Sequence, residues 1–282
     1  MGRTAKIGIM QVVADYGWPP DKCIDHMLDL AEECLKEKAD IVTVPEWYQY
    51  KSDEAGNVEK SKSYIDGNLE RSSRLAEKYG AYVATWDIEH GPGGKAYNTS
   101  FIFGRDGAEI GRYRKVHPTP GERKHGISGG DDFPVFDLDF AKVGIMICYD
   151  NRFPESAGIL THKGAELILY PLYGEWEDMV PGDSWEVCLR ARAIDNEVYI
   201  VPCQLKNRIG NKRTAFSGIV TPGGYVLKKL EEPGSFAVVD IDLDIIDADL
   251  VNRGRNNIPV TREALLNARN YAAYRALTNE RE

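Results

Sequence analysis

A short apolar run at residues 143–147 ends in Cys148, and a polar stretch at residues 149–155 follows at once. An apolar run of this length, bounded by a polar turn, predicts a strand that is buried in a sheet. Pro154 then predicts the first turn of a helix. A strand, turn and helix in this order carry the thiol to the edge of the sheet, where α/β proteins bind ligands. Cys148 is therefore a candidate nucleophile, although free cysteine is also a common buried apolar residue.

Two other predicted strands end in a charged residue. Residues 41–44 predict a short buried strand that leads to Glu46, where loss of water would raise the carboxyl pKa toward the range of a general base. Residues 109–114 alternate like a half-buried strand and lead to Lys115. Taken singly, Glu46 is equally well a surface acid or a helix cap, and a lysine at a strand end is usually solvated.

Strands and helices alternate along the rest of the chain. An apolar stripe predicts a helix that begins near Pro20, and Gly107 and Gly224 mark two hairpin turns. The first strand is predicted at residues 7–13, and residues 261–277 have the composition of one further helix. Mixed βαβ units and hairpins of this kind predict an α/β layered fold.

Glu46, Lys115 and Cys148 lie in the local sequences VPEW, YRKVHP and ICYDNRFPE. In this chain order they resemble the catalytic triad of the nitrilase superfamily, the carbon-nitrogen hydrolases. The resemblance extends from about Lys6 to Asp242. It includes the loop at Glu122, which is similar to the loop of the family's second glutamate, and three further segments: residues 97–100, 190–196 and 221–224.

The resemblance implies a four-layer α-β-β-α sandwich with the site at one end. It also implies amide cleavage without a cofactor, through a thioester on Cys148. In that reading Glu46 exchanges protons with the thiol, the leaving amine and water, while Lys115 stabilises the thiolate and the oxyanion. Glu122 positions Lys115 or the substrate nitrogen. The backbone N–H of Tyr149 is the second oxyanion donor, by analogy with other nucleophiles at strand-to-helix turns.

The residues after Cys148 bear on the substrate. Nitrilases of the family usually have Trp-Glu there, and this chain has Tyr149 and Asp150, which favours the amidase and carbamoylase branches over nitriles. Arg152 is a candidate partner for a substrate carboxylate, or else a structural partner of Glu155. The side chains predicted to line the pocket are aromatic: Tyr48, Tyr149, Tyr173 and Trp176. The expected partner is thus a small amide or ureido molecule.

Three other functions stay open as alternatives at this point. The same triad could hydrolyse a nitrile, or the chain could be a catalytically silent binding or scaffold protein that keeps the fold. A cysteine protease of the papain type would need a histidine beside Cys148. His117 and His162 are available, but their sequence settings do not resemble that family.

Composition excludes several other classes. A net charge of -9 argues against a nucleic-acid binder, whose surface carries a basic face. No apolar run is long enough to span a bilayer, no CxxC or HExxH motif suggests a metal site, and the five cysteines fit reduced thiols better than a disulfide framework. The expected location is the cytoplasm.

The chain is predicted to divide into a hydrolase domain at residues 1–255 and a helical tail at residues 256–282. The tail either packs on its own subunit or embraces a second one. Because members of the family commonly pair through helices, the resemblance implies a homodimer or a higher homo-oligomer.

Overall fold

The computed structural model describes residues 2–14, 18–46, 57–173, 184–207, 216–247 and 261–277. The strands in chain order are β1 Thr4–Met10, β2 Val12–Ala14, β3 Ile41–Thr43, β4 Tyr82–His90, β5 Ala96–Phe103, β6 Glu109–Arg114, β7 Ile127–Ser128, β8 Val135–Asp137, β9 Lys142–Ile145, β10 Leu167–Leu172, β11 Tyr199–Asn207, β12 Ser217–Val220, β13 Val226–Leu230 and β14 Phe236–Asp242.

The helices in chain order are α1 Pro20–Lys36, α2 Asn57–Ser61, α3 Ile65–Tyr79, α4 Pro120–Lys124, α5 Pro154–His162, α6 Ser184–Asn196, α7 Asp244–Asp247 and α8 Arg262–Asn267. Three short 3₁₀ helices cover Pro92–Gly94, Cys148–Arg152 and Ala273–Leu277. None of the helices in the described ranges is both long and apolar enough to cross a membrane.

The strands form two seven-stranded mixed sheets. The first has the order β14-β1-β3-β4-β5-β6, with β7 on β5, and the second has the order β13-β12-β11-β10-β9-β8, with β2 on β11. The central pairs β1–β3, β3–β4, β9–β10 and β10–β11 are parallel, and the hairpins at the edges are antiparallel. The apolar runs read from the sequence are these parallel strands, which are buried on both faces.

Helices cover the outer face of each sheet. Helices α1 and α3 pack on the first sheet, α5 and α6 pack on the second, and the inner faces of the two sheets meet in one core. Gly8 on β1 lets α1 approach closely, since a Cβ there would lie 2.8 Å from Cβ of Cys34. The predicted α-β-β-α sandwich is thus confirmed.

The predicted first strand at residues 7–13 is two strands in different sheets. β1 pairs with β14 and β3 in the first sheet, whereas β2 pairs with β11 in the second. The crossing lies at Gln11, whose backbone N–H donates to Ser235 at 2.8 Å and whose side chain donates to the Gln204 carbonyl at 2.9 Å. A continuous apolar run hides this switch, because both halves are equally buried.

The prediction of one helix at residues 261–277 is wrong. Helix α8 ends at Asn267, and a separate 3₁₀ helix begins at Ala273. Three side chains before and within the break bind the main body: Arg262 donates to the carbonyl oxygens of Thr161 and Ala165, Arg269 donates to Asn196 and the Tyr271 hydroxyl contacts His162. These contacts stabilise a bent path along α5 and α6 over a straight helix.

Candidate active site

Five backbone segments bring polar side chains to one end of the sandwich. Glu46 follows β3, Lys115 follows β6, Cys148 follows β9 and Tyr173 follows β10. Within each sheet the strands run in the same direction, so their carboxyl ends lie at one edge, and the contacts of Glu46 with Tyr173 and Cys148 bring the edges of the two sheets together. Asn98 joins them from the start of β5, which runs antiparallel to β4 and so begins at the same edge.

The Lys115 ammonium lies between two carboxylates. Its Nζ donates to Oε1 of Glu46 at 2.7 Å and to Oε2 of Glu122 at 2.9 Å. Glu46 and Lys115 are each only 1% exposed. Burial at this depth requires a partner for each charge, and the arrangement supplies it. Among the described residues, these two bonds engage two of the three N–H donors of the ammonium.

Asn98 links the same two carboxylates and was not predicted as a site residue. Its Nδ2 donates to Oε1 of Glu46 at 2.7 Å and to Oε1 of Glu122 at 2.6 Å. The Trp86 indole N–H donates to Oδ1 of Asn98 at 2.6 Å. An indole nitrogen only donates, so it fixes the amide with its NH₂ group toward the glutamates. The sequence signal was the resemblance at residues 97–100, which marked the segment and not the side chain.

Backbone N–H groups donate the remaining hydrogen bonds to the two glutamate carboxylates. Tyr173 N–H donates to Oε2 of Glu46 at 3.0 Å. Glu122 lies in the first turn of α4 in a capping box, where Thr119 N–H donates to its Oε2 at 2.7 Å. Each carboxylate thus accepts hydrogen bonds on both oxygens, which fixes its orientation.

The environments drive the two carboxyl pKa values apart. Burial raises the pKa of Glu46, and the attraction of Lys115 only partly offsets it. Burial also acts on Glu122, but the charge and hydrogen bond of Lys115 and the Thr119 N–H lower its pKa below the usual value. Burial opposes the charge of Lys115, yet Glu122 and Glu46 raise its pKa well above normal. Of the two carboxylates, Glu46 is therefore the better suited to accept a proton.

Cys148 lies on a turn and not on the strand itself. β9 ends at Ile145, and Cys148 opens a 3₁₀ helix with φ at +44°, a left-handed conformation that is costly for any residue except glycine. Its carbonyl accepts a hydrogen bond from the Tyr170 hydroxyl at 2.8 Å. The residue is partly exposed. Burial of the sulfur and the charge of Glu46 raise the thiol pKa well above normal, against the effect of Lys115, so the resting form is the thiol.

The predicted binding residues are placed as follows. Tyr149 lies in the turn directly after Cys148, and Arg152 is exposed at the end of that turn. Tyr173 is buried and meets Glu46 through its backbone. Tyr48 and Trp176 lie outside the described residues. The structure adds Asp150, which is fully buried beside Cys148 and which the sequence reading used only to judge the branch of the family.

Replacement of Asn98 by alanine is expected to lower kcat about 100-fold. Each glutamate carboxylate loses the hydrogen bond donated by Asn98, and the Trp86 indole N–H loses its acceptor. Steady-state ammonia release measures the effect. Ser100→Ala is the matched control, since Ser100 lies on the same face of β5, is equally buried and donates to the Thr85 carbonyl at 3.2 Å, away from the glutamates. Equal losses in the two variants would show that Asn98 acts only through general packing.

The sequence model of the carbon-nitrogen hydrolase family matches residues 4–249. The chain belongs to this family. Omega-amidase NIT2 of Xenopus tropicalis is 32% identical over 250 residues, which cover 85% of this chain and 88% of the relative. The family match makes this chain a carbon-nitrogen hydrolase.

Solved structures of other carbon-nitrogen hydrolases share the fold. The enzyme from Helicobacter pylori superposes with a TM-score of 0.82 at 23% identity, and the superposition covers 99% of each chain. A variant of the amidase from Nesterenkonia sp. superposes with a TM-score of 0.76 at 21% identity, covering 98% of this chain and 97% of that one. In that structure the acetamide moiety of fluoroacetamide is covalently attached at the active-site cysteine.

Proposed function

We propose that the protein hydrolyses the primary amide of a small carboxylic acid through a thioester on Cys148. The observation that carries the proposal is the Lys115 ammonium, which is buried between Glu46 and Glu122 at the end of the sandwich where Cys148 also lies. The omega-amidase relatives support an amide substrate. The cysteine adduct of the Nesterenkonia amidase supports covalent catalysis in this fold.

In the first half of the reaction, the thiol proton passes to Glu46 and the sulfur attacks the amide carbon. The oxyanion that forms is stabilised by the Lys115 ammonium and by the Tyr149 backbone N–H. Glu46 then returns the proton to the nitrogen, the C–N bond breaks and ammonia leaves. The product of this half is the acyl thioester of Cys148.

In the second half, water takes the place of ammonia. Glu46 accepts a proton from the water, whose oxygen attacks the thioester carbon, and the C–S bond breaks as the sulfur recovers its proton. The carboxylic acid leaves, and the thiol is restored. Glu122 remains ionised throughout and balances the charge of Lys115. This division agrees with the raised pKa of Glu46 and the lowered pKa of Glu122.

A screen for ammonia release tests the activity and the substrate class together. The panel contains monoamides of dicarboxylic acids, neutral amides of the same length, N-carbamoyl amino acids and nitriles. We expect turnover of the monoamides and little turnover of the nitriles. If no compound releases ammonia while iodoacetamide still alkylates Cys148, the alternative of a silent binding protein is favoured.

Arg152→Ala is expected to separate substrates by charge. If Arg152 binds the substrate carboxylate, its loss should lower kcat/KM for monoamides by about 2 kcal/mol, roughly 30-fold, which is the scale of one charge-assisted hydrogen bond. Neutral amides of equal length should change less than about twofold. Equal losses on both substrates, together with a lower Tm, would instead assign Arg152 to the structure of the turn.

We also propose that residues 256–282 form a tail that contributes to a homodimer, beside a hydrolase domain at residues 1–255. The described part of the tail follows α5 and α6 and leaves apolar side chains exposed beside them: Tyr271, Tyr274 and Leu277 on the tail, Ile159 on α5 and Ile194 on α6. Multi-angle light scattering of the full chain tests this, and a monomer at micromolar concentration would contradict it.

A further inference from the structure

Asp150 is a fully buried carboxylate that accepts four hydrogen bonds. On the side of the nucleophile, the Ile147 N–H donates to its Oδ2 at 2.8 Å. From the segment around Lys115, the Tyr113 hydroxyl donates to Oδ2 at 2.6 Å, and the backbone N–H of His117 donates to Oδ1 at 3.1 Å. Nδ1 of the His117 ring also lies 2.8 Å from Oδ1.

These bonds flank both reacting groups. Ile147 and Asp150 lie on either side of Cys148, while Tyr113 and His117 lie two residues before and two residues after Lys115. The Tyr113 hydroxyl also accepts a hydrogen bond from the Val116 N–H at 3.2 Å, which adds a further contact within the segment around Lys115. Burial and the charge of Asp150 raise the pKa of Tyr113 well above normal, so the phenol stays a donor.

The two segments belong to different sheets, and Asp150 joins them beside the stacked rings of His117 and Phe153, whose centroids are 3.8 Å apart. Lys115 follows a strand of the first sheet, and Cys148 follows a strand of the second. The Cys148 turn is also strained, with φ at +44°, and such a conformation persists only where surrounding contacts enforce it. The Asp150 carboxylate binds both segments, so it stabilises the Cys148 turn and connects it to the segment around Lys115 in the other sheet.

We propose that Asp150 is a positioning residue that sets the separation between the Cys148 sulfur and the Lys115 ammonium. The proposal rests on the proposed function of these two residues. Asp150 does not contact the reacting atoms in this role. It acts through the Cys148 turn on one side and through Tyr113 and His117 on the other.

Asp150→Asn and Tyr113→Phe test the proposal. Asparagine keeps the shape but replaces one acceptor by a donor, while phenylalanine removes only the bond on the Lys115 side and leaves the carboxylate in place. We expect kcat to fall about 100-fold in Asp150→Asn, the cost of a misplacement of about 1 Å, and about 10-fold in Tyr113→Phe, with KM changed less than threefold. Ser156→Ala is the control, since Ser156 is fully buried on the following helix and outside this network.

The rate of Cys148 alkylation by iodoacetamide, followed against pH, gives a second readout that needs no substrate. Removal of a negative charge alone would favour the thiolate and move the alkylation midpoint to lower pH. If instead the Lys115 ammonium moves away from the Cys148 sulfur, the thiolate loses its stabilisation and the alkylation midpoint moves to higher pH. This upward shift is the expected result in both variants. A downward or absent shift, or a lower Tm with wild-type kcat, would overturn the proposal.

The two readouts also separate this proposal from the proposed function. If wild type hydrolyses no amide in the screen, the proposed function fails. The alkylation profiles would still report whether Asp150 controls the environment of Cys148. If wild type is active and Tyr113→Phe matches it in kcat and in alkylation midpoint, the positioning role alone fails.

Discussion

Cys148→Ala is expected to abolish amide hydrolysis, with a loss of at least about 10,000-fold in kcat, because no other group of the site can form the acyl intermediate. The protein should remain folded, since the side chain is small. Cys148→Gly should be equally inactive and have a Tm at least as high as that of the alanine variant. The reason is the φ of +44° at this position, which glycine adopts without the steric cost of a Cβ.

Mass spectrometry of a quenched reaction gives the complementary measurement. Wild type should carry the acyl group on the peptide that contains Cys148, and both variants should lack it. Cys203 provides the control: it is buried with its sulfur 3.6 Å from the Met10 carbonyl, so Cys203→Ala should lower the Tm and leave kcat near wild type. Wild-type turnover by Cys148→Ala would exclude the covalent mechanism.

Lys115→Arg is expected to reduce kcat on the order of 100- to 1000-fold, the usual cost of one lost oxyanion donor. The ammonium is a compact charge that binds two carboxylates at 2.7 and 2.9 Å inside the core. A guanidinium is wider and planar, so it cannot bind both glutamates and also leave a donor directed at the substrate. The positive charge is kept, however, and the protein should still fold.

Lys115→Ala separates the chemical from the structural effect of this lysine. It should be as inactive as the arginine variant, but less stable by about 3–5 kcal/mol, because Glu46 and Glu122 lose their counter-ion in a buried site. Urea unfolding and ammonia release, measured on the same preparations, make the comparison. An arginine variant within threefold of wild-type kcat would remove Lys115 from oxyanion stabilisation.

The strand ends were predictable because strand burial and residue type are local signals. The runs before Glu46 and Cys148 are short and apolar, the run before Lys115 alternates like a half-buried strand, and the structure brings all three ends to one end of the sandwich. What the sequence could not supply is the distance between them. That distance depends on the pairing of two sheets, which no local pattern encodes.

Asn98 and Asp150 were missed for a related reason. Each is a polar residue whose role lies in contacts with chain segments far away in sequence: Asn98 with Glu46 and Glu122, and Asp150 with Tyr113. Asparagine and aspartate are common in turns, so their type alone carried no signal. Their burial, visible only in three dimensions, is what distinguishes them.

Two errors concern element boundaries. The strand at residues 7–13 divides at Gln11 because the two sheets compete for one apolar segment, and the helix at residues 261–277 breaks because Arg269 and Tyr271 bind α6 and α5. In both cases tertiary contacts override a uniform local propensity. Tyr48 and Trp176 stay predictions, since they lie outside the described residues.

The pairing of β1 with β14 has a consequence for biosynthesis. Their register runs from Thr4 opposite Asp242 to Met10 opposite Phe236, so β1 is synthesised long before its partner strand. At about 5–20 residues per second, this delay is roughly 10 to 50 seconds. During that time one edge of β1 lacks its final partner, and an unpaired apolar edge invites association with other chains. The period in which this enzyme is most prone to aggregate is therefore set by the ribosome, and slower translation should lengthen it.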